Sequence, residues 1–210
     1  IHNLTHDITP YNIFEASYRL FQTVEYWPEG TTFVSVVDPG VGSKRKSVVA
    51  LTENNQFIVT PDNGTLTYIK THVGIKAVRE ISEVKNRRKN TEYSYTFHGR
   101  DVYAYTGAKL ASGHISFEEV GPELPVEAVL ELPVVETEIL ENAVRGAVDI
   151  LDVRFGSLWT SIKREEFYTL SPEFGDRFEV TIYHADMLVY QNQVVYGKSF
   201  ADVRIGQPIL

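Results

Sequence analysis

The sequence contains no cysteine. This absence excludes disulfide bonds, thiolate zinc sites and cysteine nucleophiles, and it is typical of a cytosolic protein. Long apolar runs are also missing, since no stretch approaches the roughly 20 residues that a transmembrane helix needs. Basic residues number 20 against 28 acidic ones, a formal net charge of −8 that argues against a nucleic-acid surface. We therefore expect a cytoplasmic protein that binds a small molecule, and neither nucleic acid nor a membrane.

At 210 residues, with 43% hydrophobic residues, the chain has enough apolar mass for one large domain or two modest ones. Prolines and glycines cluster in Gly121–Pro125 and again at Leu132-Pro133, which is typical of a linker. Strand and helix patterns alternate before this region, whereas short strand patterns dominate after it. We therefore expect an α/β domain over residues 1–130 and a β domain over residues 131–210.

A glycine-rich turn, Asp38–Lys46, joins two apolar segments that predict buried strands, Thr32–Val37 and Ser47–Thr52. An aspartate follows the first predicted strand, and a cluster of basic residues precedes the second. The two glycines between them allow backbone conformations that other residues rarely adopt. Carboxylate, backbone amides and guanidinium are therefore close together, as they are in binding and catalytic sites. On this stretch alone a second interpretation is equally open. Asp-Pro-Gly is a good turn sequence, and the bases that follow it are a solvated charge run.

Two further polar segments lie beside predicted helices. Thr60–Gly64 follows a strand pattern and precedes a helix, a place where α/β sheets bind ligands. His98 precedes another predicted helix, a position that favours a neutral imidazole and offers free amides to an anion. The basic segment Ile81–Asn90 lacks interleaved aromatic residues, so we interpret it as a solvated loop rather than a nucleic-acid patch. No histidine pair has zinc-site spacing on an apolar helix face, and we predict no metal site.

Four motifs occur in order along the chain, and as a set they are more specific than any one of them. They are Val37–Ser43 with Arg45, Pro61–Gly64, Phe97–Asp101, and Asp152 followed by Arg154–Gly156. This set resembles the S-adenosyl-L-methionine (SAM) hydroxide adenosyltransferases, SAM hydrolases related in fold to fluorinase and chlorinase. The resemblance implies an N-terminal α/β domain with a central, mostly parallel sheet and a smaller C-terminal β-barrel-like domain. It also implies a homotrimer with the substrate between neighbouring subunits.

The reaction that the resemblance implies is hydrolysis of SAM to adenosine and L-methionine, by attack of water or hydroxide on C5′ of the ribose. A sulfonium already contains a good neutral leaving group, so the enzyme must position and activate water and exclude bulk solvent, without a metal or cofactor. The family's catalytic triad corresponds to Asp38, Arg45 and His98. Arg45 is then expected to orient the water and keep Asp38 ionised, while His98 holds or deprotonates the water.

The resemblance also implies a set of substrate contacts. Tyr11 is expected against the ribose or methionine part of SAM, and Asn63 against the ribose or adenine. Asp152 is expected to accept the methionine ammonium group, and Phe155 to lie against adenine, next to Ser157. Each position also has a structural interpretation, as a packing tyrosine, a turn and helix cap, or an aromatic residue at the end of a strand.

The sequence departs from the family at several places. Ser157 and Ser161 stand where relatives have asparagine, so the hydrogen bonds to adenine are expected to differ. The family's N-terminal Thr-Asp-Phe and C-terminal Asn-Ser segments are not found, so we expect that the first strand and the last strands are missing. A non-catalytic protein that binds SAM or adenosine is therefore the main alternative. A SAM-dependent halogenase is less favoured, because halogenases have no histidine in the place of His98 and carry an inserted loop that is missing between Gly64 and His98.

Overall fold

The computed structural model describes all 210 residues and divides them into two units, Ile1–Pro133 and Val134–Leu210. The first unit contains one five-stranded sheet and the helices that cover it. Its strands are β1 (Thr32–Val34), β2 (Ser47–Thr52), β3 (Phe57–Pro61), β4 (Ile75–Glu80) and β5 (Glu123–Leu124). Its α-helices are α1 (Ile13–Val24), α2 (Glu83–Asn86) and α3 (Tyr105–Ala111), its π-helical segments Ile69–Val73 and Gly99–Ala104, and its 3-10 turns Glu118–Val120 and Val126–Ala128.

The sheet has the order β1-β3-β2-β4-β5, and only β1 and β3 run parallel. The other three neighbouring pairs are antiparallel. The expectation of a mostly parallel sheet is therefore wrong, and the chain forms a mixed sheet instead. The physical reason is the short connection between β2 and β3. A four-residue turn is long enough for an antiparallel hairpin but far too short for the crossover that parallel neighbours require.

Alternate residues of the central strand β2 face two separate apolar clusters. Val48 and Ala50 pack with residues of α1 and of the π-helical segment Ile69–Val73, whereas Val49 packs with Val102 and Leu110 on the other side. Because side chains alternate along a strand, the sheet is buried on both faces. The first unit is thus a three-layer α/β arrangement, which places the loops that follow β1 and β3 at one region of the sheet.

Helix α1 begins at a side-chain cap and buries one stripe. The Asn12 side chain accepts a hydrogen bond from the backbone N–H of Glu15 at 2.9 Å, which satisfies one of the free amides of the first turn. Ala16, Leu20 and Val24 follow at spacings of four residues and are all buried. This regular stripe explains why the segment packs on the sheet as a helix.

The second unit is rich in short strands. They form three two-stranded antiparallel sheets that are not hydrogen-bonded to one another, and no closed barrel is present. The strands are β6 (Glu138–Ile139), β7 (Val144–Arg145), β8 (Val148–Asp152), β9 (Ser157–Thr160), β10 (Arg177–His184) and β11 (Met187–Val195). The helical elements are α4 (Arg164–Phe167) and the 3-10 turns Tyr168–Leu170 and Phe200–Asp202. None of the helices in either unit combines the length and apolar character that crossing a bilayer requires.

Candidate active site

The glycine-rich turn after β1 is a compact loop closed by its own backbone. Val41 donates its N–H to the carbonyl of Asp38 at 3.3 Å, and Ser43 donates to the carbonyl of Gly40 at 3.0 Å. Gly42 has a φ of +78°, and a Cβ at this position would lie 2.9 Å from the carbonyl oxygen of Tyr95. Glycine is therefore required here both by the backbone conformation and by the close approach of the neighbouring chain. The loop fixes Asp38 opposite Arg45.

Asp38 and Arg45 form a two-point ion pair. The Arg45 Nε donates to Asp38 Oδ1 at 2.8 Å, and Arg45 Nη2 donates to Asp38 Oδ2. The side chains are 9% and 5% exposed for the arginine and the aspartate, respectively, so both charges are largely removed from water. This planar fork is the geometry by which arginine binds a carboxylate most specifically. Of the two interpretations of the turn, the structure thus rules out a solvated Arg45.

Two further residues fix the other side of the Arg45 guanidinium. Its Nη1 donates to the Ser47 Oγ at 3.0 Å, and its Cζ lies 5.5 Å from the centre of the Tyr103 ring. The hydroxyl oxygens of Ser47 and Tyr103 are themselves 3.0 Å apart. Burial is the main cause that raises the pKa of Tyr103, so its phenol is neutral at physiological pH. The guanidinium is therefore held on several sides and has little rotational freedom.

His98 lies between two guanidinium groups. Its Nδ1 is 3.3 Å from Arg45 Nη2, and its Nε2 is 3.0 Å from Arg87 Nη2. Burial, more than any other cause, lowers the pKa of His98. Arg87 and Arg45 lower this pKa further, while the carboxylates of Glu83 and Asp38 oppose the change. His98 is therefore a neutral imidazole at neutral pH, as its position before a helix predicts.

Arg87 is the site residue that the sequence interpretation missed. It belongs to the basic segment Ile81–Asn90, which was predicted to be solvated, yet its side chain is only 9% exposed. It donates to Glu83 Oε2 from both Nε and Nη2, at 3.0 and 2.7 Å. The available signal was the four-residue spacing of Glu83 and Arg87, which is typical of an ion pair on one helix face.

Asp38 is one of the residues that line a cavity of about 250 Å³. Arg100 borders it, and its guanidinium stacks over the ring of Phe97 at 4.9 Å while pairing with Asp101 at 2.7 Å. The lining residues are Val36, Asp38, Val41, Thr96, Phe97, Gly99 and Arg100. The site thus combines a buried ion pair, a neutral imidazole and an adjoining cavity lined by both polar and apolar residues. Such an arrangement can hold a water molecule by its oxygen and its protons beside a small organic substrate.

Asn63 connects the turn after β3 to the site. Its amide nitrogen donates to the carbonyl of Val37, next to Asp38, at 2.9 Å, and its oxygen accepts from the Thr65 hydroxyl at 2.8 Å. The neighbouring Asp62 is buried and accepts a hydrogen bond from the backbone N–H of Leu130 at 3.0 Å. Burial is the main cause that raises the pKa of Asp62. Asn63 therefore has a structural contact at the site in addition to its predicted contact with substrate.

Tyr11 is 77% exposed and has a φ of +68°. A left-handed conformation is uncommon for a bulky residue and marks a constrained turn. Tyr11 lies directly before the Asn12 cap of α1, so this turn is fixed by the start of the helix. The structure therefore holds the tyrosine ring on the surface of the first unit and does not pack it in the core.

The remaining predicted contacts lie in the second unit. Asp152 ends β8 and Ser157 begins β9, and these two residues are paired across the antiparallel hairpin. Phe155 lies in the turn between the strands, where its N–H donates to the carbonyl of Asp152 at 3.1 Å and its ring is exposed. The hairpin therefore brings Asp152, Phe155 and Ser157 together within their own unit.

Two family models match the chain in sequence order. The model described as the SAM hydroxide adenosyltransferase N-terminal domain matches residues 1–121. The model described as the C-terminal domain of the same family matches residues 146–210. These matches confirm the resemblance that four short motifs indicated.

Individual relatives give the same result. A protein of Methanocaldococcus jannaschii named (R)-S-adenosyl-L-methionine hydrolase is 35% identical over 164 residues, which are 78% of this chain and 54% of that protein. A fluorinase of Actinopolyspora mzabensis is 24% identical over an alignment that covers 99% of this chain and 75% of the fluorinase. A solved structure of an uncharacterized conserved protein from Thermotoga maritima matches with a TM-score of 0.86 and 35% identity, covering 99% of this chain and 75% of that one. The chain spans about half of the length of the Methanocaldococcus jannaschii protein, since the alignment covers 54% of it.

Proposed function

This chain belongs to the SAM hydroxide adenosyltransferase family, and we propose that it hydrolyses SAM to adenosine and L-methionine. The observation that carries the proposal is the cluster of Asp38, Arg45 and His98 beside the cavity. The name of the archaeal relative, a hydrolase of (R)-SAM, supports the same substrate. The fluorinase is more distant in sequence, which favours hydrolysis over halogenation.

In the proposed reaction, the oxygen of a water molecule attacks C5′ of the ribose on the face opposite the sulfonium. The new O–C5′ bond forms as the C5′–S bond breaks, and its electron pair stays on sulfur, which leaves as the neutral thioether of methionine. One water proton is released to solvent. Because the leaving group needs no protonation, the protein contributes orientation of the water, stabilisation of its developing hydroxide character and exclusion of solvent. The proposed reaction uses no metal or organic cofactor.

The three side chains have distinct proposed roles. Asp38 accepts a hydrogen bond from the water, and its charge is kept in place by the two-point contact with Arg45. Arg45 directs positive charge at the attacking oxygen, and His98 contacts the same oxygen. Their burial strengthens each interaction, because charges in a site with little water interact more strongly than in bulk solvent.

The predicted substrate contacts belong to the same proposal. Tyr11 contacts the ribose or methionine part, and Asn63 the ribose or adenine. Asp152 accepts the methionine ammonium, Phe155 lies against adenine, and Ser157 contacts the base edge. The exposed ring of Phe155 and the surface position of Tyr11 support this assignment, since both are available to a ligand.

The proposed assembly is a cytoplasmic homotrimer. Large apolar side chains exposed on the β8–β9 hairpin, such as Leu151 and Phe155, support association with other copies. Sedimentation velocity of the purified protein tests the assembly. A single species with three times the mass of the chain is expected, and a monomer at micromolar concentration contradicts the trimer.

The experiment that tests the function is an incubation with SAM in water enriched in ¹⁸O, followed by chromatography and mass spectrometry. We expect adenosine and methionine in equal amounts, with ¹⁸O in the 5′-hydroxyl of adenosine. The (R) and (S) sulfonium forms are supplied separately, because the relative's name specifies (R). Binding measured by calorimetry without adenosine formation identifies a binding protein instead. Halide-dependent formation of 5′-halo-5′-deoxyadenosine identifies a halogenase.

A further inference from the structure

Both ring nitrogens of His98 face arginine N–H groups, and this creates a conflict. Arginine has only donors, whereas a neutral imidazole has one donor nitrogen and one acceptor nitrogen. The contact of Nε2 with Arg87 is 3.0 Å, and that of Nδ1 with Arg45 is 3.3 Å. Only one of these two contacts is therefore a hydrogen bond that the imidazole accepts.

The shorter of the two contacts, with Arg87, is the one that the geometry favours, and the hydrogen-bond inventory of Arg87 fits it. A guanidinium has five N–H groups. In Arg87 the Nε and one Nη2 hydrogen are donated to Glu83, and Nη1 is donated to the carbonyls of Thr91 and Ser94, both at 3.1 Å. The remaining Nη2 hydrogen is directed at Nε2 of His98. All five N–H donors of Arg87 are satisfied only when Nε2 of His98 is the acceptor.

The other tautomer leaves two donors opposed. If His98 carried its proton on Nε2, this N–H would face the Nη2 of Arg87 at 3.0 Å, with the arginine held in place by Glu83 and two carbonyls. Both side chains are largely buried, so water cannot easily supply the missing acceptors. The donors on the Nδ1 side are farther apart, since Arg45 Nη2 lies 3.3 Å from Nδ1, and an oxygen bound between these two nitrogens can accept from both of them.

We propose that Arg87 is a positioning residue that holds His98 with its proton on Nδ1, so that His98 donates a hydrogen bond to the attacking oxygen and does not act as its base. This inference rests on the proposed hydrolysis of SAM. The Nδ1–H of His98 and an Nη2–H of Arg45 are then two donors whose nitrogen atoms are 3.3 Å apart, beside the Asp38 carboxylate. Two adjacent donors of this kind bind one oxygen through two lone pairs, as an oxyanion site does.

The proton balance of the reaction changes accordingly. The attacking water donates one hydrogen to Asp38 and accepts from Arg45 and His98. As its oxygen bonds to C5′, its proton passes to Asp38 and then to solvent, while the C5′–S electron pair stays on sulfur. His98 keeps the same proton throughout. The catalytic form is therefore the neutral imidazole, and protonation of Nε2 breaks its hydrogen bond from Arg87.

The first test is nitrogen NMR of the ligand-free protein, which reports the tautomer of each histidine independently of any activity. The signals of His98 are identified by their loss in His98→Gln. In the wild type we expect a protonated Nδ1 and an unprotonated Nε2, and in Arg87→Met a shift toward the other tautomer. Arg88→Met is the matched control, because Arg88 is the adjacent, exposed arginine, and it leaves the His98 signals in place. A protonated Nε2 in the wild type, or an unchanged tautomer in Arg87→Met, overturns the proposal.

The second test is the pH profile of kcat/KM for SAM hydrolysis. The charged groups that face His98 are Glu83, Arg87, Arg45 and Asp38. Removal of the positive charge in Arg87→Met raises the pKa of His98, so the acidic limb of the profile moves to higher pH. Removal of the negative charge in Glu83→Gln lowers this pKa and moves the limb to lower pH. Opposite shifts are not expected from general damage to the fold, and identical profiles for both variants overturn the positioning role.

Failure of the proposal and failure of the proposed function are distinguishable. A wild-type protein that releases no adenosine overturns the hydrolase function, and NMR still decides the tautomer. If Arg87→Met does not fold, as judged by circular dichroism, then Arg87→Lys replaces it. Lysine keeps the charge but not the fork, so we expect a mixed tautomer with a smaller shift of the acidic limb. A wild-type tautomer in folded Arg87→Lys overturns the requirement for the guanidinium.

Discussion

Asp38 and Arg45, seven residues apart in the chain, form a buried two-point ion pair across a single turn. The pair closes the turn between β1 and β2, and its guanidinium faces His98. A buried pair of this kind is costly to break from one side, because the remaining charge is left without a partner, at about 3–5 kcal/mol. The same contact therefore matters to both the fold and the proposed chemistry.

Substitution of Arg45 tests whether the fork or only the charge is needed. Arg45→Lys keeps a positive charge but loses the two-point contact with Asp38 and the bond to Ser47. We expect kcat for SAM hydrolysis to fall by about 10²-fold or more. Lys44→Ala, at the exposed preceding residue, is the control and is expected to leave kcat unchanged. Near wild-type turnover of Arg45→Lys speaks against a catalytic role for the guanidinium.

The stability of the protein is expected to depend on pH through His98. Its pKa is lowered in the folded state by burial and by two arginines, relative to about 6.5 in the unfolded chain. In the interval between these two pKa values the unfolded chain binds more protons, so stability rises with pH. The contribution of His98 is thus fully present above about pH 6.5 and is lost as the pH falls through the folded-state pKa.

Urea unfolding at several pH values between 5 and 8 measures this dependence. His98→Gln removes the titrating group, so we expect its free energy of unfolding to decrease less than that of the wild type on acidification. His184→Gln, at an exposed histidine of the second unit, is expected to keep the wild-type slope. Equal slopes for the wild type and His98→Gln contradict the assignment of a buried, neutral imidazole.

Gln56 anchors the end of α1 to the sheet. Its buried side-chain nitrogen donates to the carbonyls of Val24 and Trp27 at 2.8 and 2.6 Å. Gln56→Leu has a similar volume but leaves these two carbonyls without their donor, so we expect a loss of about 1–3 kcal/mol in the free energy of unfolding. The same substitution at the exposed Gln193 serves as the control in chemical denaturation. Equal stabilities of the two variants argue against this anchor.

The sequence allowed some of these features to be predicted. The acid and base of the Asp38–Lys46 turn were visible in the sequence as one interpretation of that turn, but the contact of Arg45 with His98, 53 residues further along the chain, depends on the tertiary fold. Only the family resemblance joined the three residues in advance. Apolar patterns indicated the strands β2 and β3 but carried no information on direction, and the wrong expectation of a mostly parallel sheet came from the family resemblance. The short turn between these strands was the better guide to their antiparallel direction.

Arg87 shows a different limit of prediction from the sequence. A run of basic residues is usually solvated, and a single arginine within it carries no local mark of burial. Its partners include the carbonyl of Ser94 and the ring of His98, 7 and 11 residues further along the chain, which the fold of the intervening segment brings to it. The four-residue spacing from Glu83 is typical of an ion pair but does not indicate a place at the site. Contacts of this kind follow from the conformation of the segment and have no sequence pattern of their own.

The last prediction concerns Gly42, for which the chain offers a matched control. Gly30 and Gly42 both have a φ of +78°, so alanine at either position meets the same backbone strain, about 1 kcal/mol. At Gly30 an added Cβ has no atom within 4 Å, whereas at Gly42 it lies 2.9 Å from the Tyr95 carbonyl oxygen. Gly30→Ala therefore measures the strain alone, and Gly42→Ala measures the strain and the clash together.

We expect Gly42→Ala to be the less stable variant in chemical denaturation, because a backbone carbonyl cannot move aside as easily as the end of a flexible side chain. The clash displaces the turn that fixes Asp38 opposite Arg45, so we also expect hydrolysis of SAM to fall in Gly42→Ala and to persist in Gly30→Ala. Equal loss of stability in the two variants shows that the contact with Tyr95 is unimportant. Wild-type activity in a destabilised Gly42→Ala shows that the turn tolerates displacement. In that case the Asp38–Arg45 ion pair does not depend on the exact conformation of the loop.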